Sequence, residues 1–465
     1  MKPILLIDFG STYTKVTAVD PETPRILGRA QAFTTAATDI SEGLGHALGK
    51  LEGACGKLDF SVKLACSSAA GGLNMVVCGL VPSLTSKAAR LAAFTAGAKV
   101  IKTYAYQLTS ADLDEITRSK PDILLLTGGT DGGNSEVILG NARALAKAGG
   151  NFPVVVAGNR SAQDECADIL GRDGRAVYRA PNVMPEMNRL DIAPVQQILR
   201  EVFLRNIIRA KGLSRASAIL DDILMPTPSA VLDALTLLSE GTKKTKGLGE
   251  LVAVDLGGAT TDVYSIAKGH PSNPNVLLRG LPEPYAKRTV EGDIGMRYNA
   301  RGILEAAGAE RLAEQAGTPP EAVGEAVDRL RDNPARLPQT PEEESLDRAL
   351  ATCAMGVALG RHAGSLTRVY TAVGPVDEQT GKDLTRVGKL VVTGGALVYS
   401  DALGDIVRDA IAMQEPVSLT PRRLACAADR GYILSAMGLF LRVDREAAMQ
   451  LLSQYLGKDE FDAAV

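Results

Sequence analysis

Two short segments of this sequence carry the residue types that hold a phosphate group. Asp8-Phe9-Gly10-Ser11-Thr12 closes the apolar run Ile4–Phe9 and precedes the alternating run Tyr13–Val19. Asp255-Leu256-Gly257-Gly258-Ala259-Thr260-Thr261-Asp262 sits in the same way inside Leu251–Ile266. In each, a strand ends at an Asp, glycine and hydroxyl residues make the turn, and a second strand returns. Glycine lets backbone N–H groups approach phosphate oxygens with no Cβ in the way. Ser11, Thr12, Thr260 and Thr261 supply further donors. Asp8 and Asp255 suit Mg²⁺ held through its waters, a hydration shell that this ion gives up reluctantly. A single turn of this kind is common in hairpins. Two copies, with a third strand at Lys389–Thr393 running into Gly394-Gly395-Ala396, predict a nucleotide site. Lys15, three residues past the first loop, either reaches a phosphate or is an ordinary exposed strand lysine.

The elements around these loops read as α/β. The repeated strand–turn–strand grammar divides the chain into two halves, which meet in the polar stretch Gly241–Gly249. Lys243, Lys244 and Lys246 there read as a solvated loop. Between the halves, strands alternate with helices: Ser83–Ala96 helix, Lys99–Tyr106 strand, Ser110–Ser119 helix, Asp122–Thr127 strand, Ser135–Ala148 helix. Pro153–Ala157 follows as strand, Ala162–Leu170 as helix, Ala176–Arg179 as strand, and Asp191–Lys211 as a longer helix. This order, with short Gly-rich turns, predicts a parallel, doubly wound sheet. In the second half, prolines at 319, 320, 334, 338 and 341 interrupt a charged helical stretch from Arg301 to Asp347, which predicts a surface subdomain. An apolar helix over about Arg430–Leu441 closes the fold.

Composition narrows the chemistry. At 465 residues the chain exceeds a single core. Its net charge of -3 gives no electrostatic reason to expect nucleic acid or an anionic membrane as partner. Trp is absent and aromatics make up 4% of the chain. The six cysteines (Cys55, Cys66, Cys78, Cys166, Cys353, Cys426) form no Cys-x-x-Cys pair, which argues against a zinc cluster or disulfide framework and for a reducing cytoplasm. No signal peptide is expected, because the N-terminus runs straight into a strand containing Asp8. No apolar run is long enough for a membrane span. His46, His270 and His362 lie too far apart to suggest a metal site.

The loop order resembles the actin, sugar-kinase and heat-shock chaperone superfamily. Leu6–Thr12 looks like its first phosphate loop, Val254–Asp262 like its second, and Val391-Val392-Thr393-Gly394-Gly395-Ala396 like its adenosine loop. Pro226–Val231 resembles the first connecting helix and Gly431–Gly438 the second. The resemblance implies ATP or ADP with Mg²⁺. It places Gly10, Ser11, Thr12 and Lys15 on the phosphates from one side, and Gly257, Gly258, Ala259, Thr260 and Thr261 from the other. Gly394, Gly395 and Ala396 would lie against the base and ribose, with Asp8 and Asp255 at the metal. One departure stands out. Thr227 occupies the place where the heat-shock chaperones carry a Glu that helps orient the attacking water, so nucleotide binding is expected and fast hydrolysis is not. Glu291, in Glu291-Gly292-Asp293, is either a substitute carboxylate or part of a simple turn.

Nearly end to end, the chain is similar to the MutL (GlmL) family of accessory proteins of adenosylcobalamin-dependent glutamate mutase, which is unrelated to the mismatch-repair protein of that name. Leu73–Ala89, Leu124–Asn134, the second phosphate loop and Arg288–Tyr298 carry this resemblance. It implies an ATP-dependent chaperone or reactivating factor whose partner is the mutase, acting as a slow Mg²⁺-dependent ATPase. The stretch from Val77 to Leu199 also looks like the cobalamin-binding small subunit of such mutases. The cobalt-ligating Asp-x-His-x-x-Gly is gone, however, its positions falling on Leu80, Pro82 and Thr85, so no cobalt ligation is expected. Either doubly wound sheets simply look alike, or this segment imitates the mutase subunit. The expected domains are 1–76 with 200–245, the inserted 77–199, and 246–465. Two rival functions stay open: a small-molecule kinase on the same fold, and a non-hydrolysing nucleotide-dependent scaffold.

Overall fold

The computed structural model describes residues 2–35, 39–68, 73–172, 174–210, 222–372, 374–457 and 461. The chain forms two compact units, Met1–Asp233 with Ser435–Ala448, and Ala234–Leu434 with Met449–Val465. Among the described residues no helix is long and apolar enough to cross a membrane.

The first unit holds strands β1 (Ile4–Phe9), β2 (Tyr13–Asp20), β3 (Arg25–Phe33), β4 (Val62–Ser67), β5 (Leu73–Gly79), β6 (Ala98–Ala105), β7 (Ile123–Leu126), β8 (Val154–Val156), β9 (Val177–Arg179) and β10 (Asp222–Pro226). They make two five-stranded sheets, β10-β4-β1-β2-β3 and β6-β5-β7-β8-β9. Every residue of β1 is buried, as befits a central strand covered on both faces. β1 runs antiparallel to β2 and parallel to β4, and β10 is parallel to β4.

The second sheet is wholly parallel, in the doubly wound order that places the strand-order reversal between its first and third strands, here β5 and β7. Val76, Leu124, Leu126, Val154 and Val156 from its strands pack with Ile116, Ile138, Leu145 and Cys166 from its helices. The sheet starts at Leu73, ahead of residue 77. The helix expected from Ser83 opens with a wide π-helical turn at Pro82–Ser86 before Lys87–Thr95 becomes regular. The longer helix spans Ala193–Ala210, and its expected end at Lys211 lies outside the described residues.

The second unit holds β11 (Leu251–Leu256), β12 (Thr261–Ile266), β13 (Val276–Leu278), β14 (Ala286–Glu291), β15 (Ser365–Thr371), β16 (Gly374–Thr380), β17 (Lys389–Thr393) and β18 (Ala425–Ala428). Its main sheet has the order β14-β12-β11-β17-β18. β11 is antiparallel to β12 and parallel to β17, β12 is antiparallel to β14, and β17 is parallel to β18. This is strand for strand the construction of the β1 sheet. A separate three-stranded sheet, β13-β16-β15, has no counterpart among the sequence expectations.

The expected surface subdomain needs correction. Helices Ala300–Ala307, Ala309–Ala316, Pro320–Asp332 and Pro341–His362 bury Ile303, Leu312, Val323, Val327, Leu346 and Leu350 in one core with Val252, Val254, Leu390 and Val392. Pro320 and Pro341 begin helices rather than interrupt one, because the first helical position needs no N–H. The closing helix is regular only over Leu434–Phe440.

Candidate functional site

In the first unit, Gly10 makes the turn between β1 and β2. Its N–H bonds the Tyr13 carbonyl at 3.1 Å, and a Cβ on it would stand 2.5 Å from that oxygen. The Gly10 carbonyl accepts the Thr34 hydroxyl at 2.9 Å. Across a trans peptide the next N–H points the opposite way, so the Ser11 amide faces away from Thr34, as a phosphate loop requires. Ser11 and Thr12 are exposed.

Asp8 is only 6% exposed, and three segments donate to its carboxylate. Thr227 Oγ1 reaches Oδ1 at 2.6 Å, Ser435 Oγ reaches Oδ2 at 2.9 Å, and Cys66 Sγ stands 3.6 Å from Oδ1. Thr227 begins helix Thr227–Glu240, and Ser435 is the second residue of helix Leu434–Phe440. The two helices cross closely at Gly438, where a Cβ would fall 1.9 Å from the Ala230 carbonyl oxygen. Burial, then the charge of Asp8, push the Cys66 thiol well above its ordinary range, so it acts as a neutral donor.

Thr227 is therefore more than a missing carboxylate. A second acid at that distance from Asp8 would force the pair to share a proton. Oδ2 of Asp8 accepts one hydroxyl and has capacity for a water. The residue set thus fits a hydrated Mg²⁺ completed by phosphate oxygens, the usual mode for this ion. Lys15 pairs in register with Asp8 across the hairpin and is half-buried.

In the second unit, Gly257 N–H bonds Thr260 O at 3.0 Å, repeating the Gly10 turn. Here the loop is held from behind through its backbone. Met296 N donates to Gly257 O at 3.0 Å, and Arg297 N and Tyr298 N donate to Gly258 O at 2.9 Å each. Asn299 Nδ2 donates to Ala259 O at 2.6 Å, and Thr261 Oγ1 to Ile294 O at 3.0 Å. The carbonyls being turned toward 294–299, the Gly258 and Ala259 amides point the other way. Gly295 is required, since a Cβ there would meet the Ala259 carbonyl carbon at 2.3 Å. Asp255 is half-buried at the end of β11.

Ion pairs fasten the bracing segment and the strands beside it. Buried Arg288 donates to Asp262 Oδ1 at 2.6 Å through Nε, and Arg297 grips Asp347 in two bonds of 3.0 and 2.6 Å. Glu291 accepts Arg361 Nη1 at 2.6 Å, with Asp293 3.6 Å from the same nitrogen. Glu291 is thus committed to a guanidinium rather than presented as a base.

At the end of β17, Gly394 has φ of 91°, and a Cβ on it would strike Leu256 O at 2.2 Å. Gly395 is different: its Cβ direction meets only Tyr432 Oη at 3.9 Å and Tyr399 Cδ2 at 4.0 Å. Ala396 follows, partly buried. Sequence reasoning missed Thr34, Cys66, Ser435 and the two tyrosines. Tyr432 and Ser435 lay inside the segment resembling the second connecting helix, and Thr34, Cys66 and Tyr399 carried no local signal.

At the C-terminal ends of the parallel sheet, buried Asn159 accepts Gly132 N at 3.0 Å and donates to Gly133 O and Asn134 O at 3.0 and 3.2 Å. Asn182 donates to Gly129 O at 3.0 Å and Asp131 at 2.9 Å. At the position expected for the lost motif, Thr85 Oγ1 accepts Leu80 N and Val81 N at 2.8 and 3.0 Å, closing the Pro82 turn on itself.

A family profile described as MutL protein matches residues 4–456. The chain is 45% identical over 461 residues to Protein MutL of Clostridium tetanomorphum, spanning 98% of this chain and 100% of that one. Among solved structures it is similar to nucleotide-free acetone carboxylase, with a TM-score of 0.43 and 12% identity over 94% of this chain and 70% of that one. It is also similar to a glycerol dehydratase reactivase, with a TM-score of 0.35 and 11% identity over 95% of this chain and 99% of that one.

Proposed function

Because this chain belongs to the MutL protein family, we propose that it is an ATP-dependent reactivating factor for an adenosylcobalamin-dependent mutase, glutamate mutase being the partner its sequence resemblance implies. The observation that carries this reading is a repetition. Two sheets of one topology each end their first strand at an Asp and a Gly–hydroxyl turn, and a third Gly–Gly turn follows β17. The residues proposed to bind Mg²⁺–nucleotide are Gly10, Ser11, Thr12 and Lys15 in the first unit, and Gly257 to Thr261 with Gly394 to Ala396 in the second.

In this reading Asp8 does two things. It faces the hydrated metal, and it holds the first turns of both connecting helices through Thr227 and Ser435. A change in the charge beside Asp8 then reaches both helices, which is how nucleotide state would alter affinity for the mutase. The division into domains 1–76 with 200–245, 77–199 and 246–465 belongs to this proposal. The middle segment is read as a decoy of the cobalamin subunit that docks on the mutase and lets damaged cofactor leave. Its parallel strand order supports this, and Leu80, Pro82 and Thr85 offer cobalt no imidazole.

The test is ATP turnover with and without mutase. Slow basal hydrolysis that rises with mutase is expected. Fast turnover by the isolated protein, or indifference to every cobalamin mutase, would contradict the proposal. Asp8→Ala and Asp255→Ala should each weaken Mg²⁺-dependent nucleotide affinity in calorimetry. A second reading, a non-hydrolysing nucleotide-dependent scaffold, is favoured by Thr227, and predicts mutase binding that follows nucleotide without turnover.

A further inference from the structure

Two tyrosines stand beside the third loop in a chain that has no tryptophan and few aromatics of any kind. The rings of Tyr399 and Tyr432 lie 6.3 Å apart, tilted by 50°. Tyr399 is 67% exposed, so a face of its ring is open to solvent. Both side chains border the space in front of Gly395, the loop glycine whose missing Cβ has room around it.

Tyr432 is held in place at a cost. Its φ is 49°, a left-handed conformation that costs a non-glycine residue on the order of 1–3 kcal/mol and persists where the surroundings fix it. Here the Tyr432 N–H bonds Asp429 O at 3.0 Å. The buried Asp429 carboxylate takes the Ile433 and Leu434 N–H groups at 2.9 and 3.2 Å. The bend thus projects a phenol toward Gly395 from one side, while Tyr399, one residue past helix Gly395–Val398, arrives from the other.

We infer that Tyr399 and Tyr432 form the base-recognition wall of the nucleotide site. The open face of Tyr399 stacks on the heteroaromatic base, and the Tyr432 hydroxyl hydrogen-bonds its edge or the ribose. This rests on the reading of Gly394–Ala396 as the adenosine loop. It assigns discrimination to two residues that no phosphate contact explains.

The test uses the full chain and isothermal calorimetry with Mg²⁺ and three probes: ADP, CDP and inorganic tripolyphosphate. Tyr399→Ala should weaken ADP about 5- to 150-fold, the weight of one base–aromatic stack, and leave tripolyphosphate unchanged. Tyr399→Phe should keep ADP affinity, since the ring remains. Tyr432→Phe should shrink the ADP-over-CDP preference. Tyr399 is a surface residue, and an unchanged melting temperature checks that its truncation spares the fold. If the unaltered protein binds ADP and Tyr399→Ala binds it equally well, the wall is refuted while the nucleotide site stands. If the unaltered protein binds neither ADP nor tripolyphosphate, both readings fall.

Discussion

The two phosphate-type turns share one backbone design and are secured in opposite ways. The first is tied through its carboxylate: Asp8 collects hydroxyls from two helix starts and a thiol from β4. The second is tied through its carbonyls, which the 294–299 segment holds from behind; Arg297–Asp347 clamps that segment, and Arg288–Asp262 and Arg361–Glu291 fasten the strands beside it. A loop anchored by one charge can respond when charge arrives beside it, because its bonds to Thr227 and Ser435 are charge-assisted. In the second, the bonds from the 294–299 backbone are neutral, and the charge of Asp262 is taken up by Arg288. The first turn is held by hydroxyls on a carboxylate, the second by backbone bonds and a buried ion pair.

The largest effect should come from breaking the buried ion pair between β14 and β12. Arg288→Leu leaves the Asp262 carboxylate buried without its cation, and burial already pushes that carboxyl upward. Losing one partner of a buried pair costs about 3–5 kcal/mol, so denaturant unfolding should show a loss of that order. Replacing both partners with apolar residues should recover most of it. A loss below about 1 kcal/mol would mean that the pair does not fasten these strands.

Thr227→Val should cost less, roughly 1.5–3 kcal/mol for a hydrogen bond to a charged group. Its distinctive consequence is functional: melting temperature should gain less from ATP than in the unaltered protein, since one helix start no longer senses Asp8. Thr227→Glu should not restore fast hydrolysis, because the new acid must share a proton with Asp8. A variant Thr227→Glu with brisk turnover would reverse the interpretation of this position.

The strands behind the second loop carry titratable groups with a pH signature of their own. His362 bonds Ser265 on β12 at 2.8 Å and Thr289 on β14 at 2.7 Å. Burial, then the charges of Lys287 and Lys382, hold it well below the ordinary imidazole value of 6.5. The unfolded chain therefore takes up a proton below pH 6.5 that the folded chain refuses. Stability present above that pH should drain away as pH falls. Lys382, lowered to about 7 chiefly by burial, acts in the same direction at higher pH: stability should climb from pH 7 toward 10.5. Melting curves across pH 5–9 should rise with pH, and Lys382→Met should flatten the part above neutrality. An unchanged slope in that variant would assign the pH dependence elsewhere.

These differences also mark what sequence could reveal. The turns were legible because Asp, Gly and hydroxyl residues sit side by side and their chemistry is local. The parallel sheet was legible because β5, β7 and β8 are short apolar runs between helices. Ser435 was not, since its hydroxyl reaches an Asp at the far end of the chain. The β13-β16-β15 sheet escaped because Ser365–Thr371 is largely exposed, Gly374–Thr380 is mostly half-buried and polar, and neither shows apolar alternation. The helices at 300–362 were misread because Pro320 and Pro341 look like breakers but occupy first-turn positions.

The smallest effect concerns Glu291. Sequence alone left it as either a substitute for the missing helix carboxylate or part of a simple turn, and a true general base would contribute about 10²- to 10⁴-fold to turnover. In the fold, Arg361 stands 2.6 Å from its Oε2 and also approaches Asp293. One of its oxygens is thus engaged by a guanidinium that cannot release a proton. Glu291 ends β14 beside Thr261 in register, so its work is to hold the strand edge next to the second turn. Glu291→Gln keeps the shape and an acceptor oxygen for Arg361. Turnover measured with mutase and saturating Mg²⁺–ATP should therefore fall by less than about threefold, far short of the loss of a base. Arg361→Gln should give a change of similar size, because it loosens the same edge. A drop of 100-fold or more in Glu291→Gln alone would return this residue to the chemistry and make the second turn, not the first, the seat of hydrolysis.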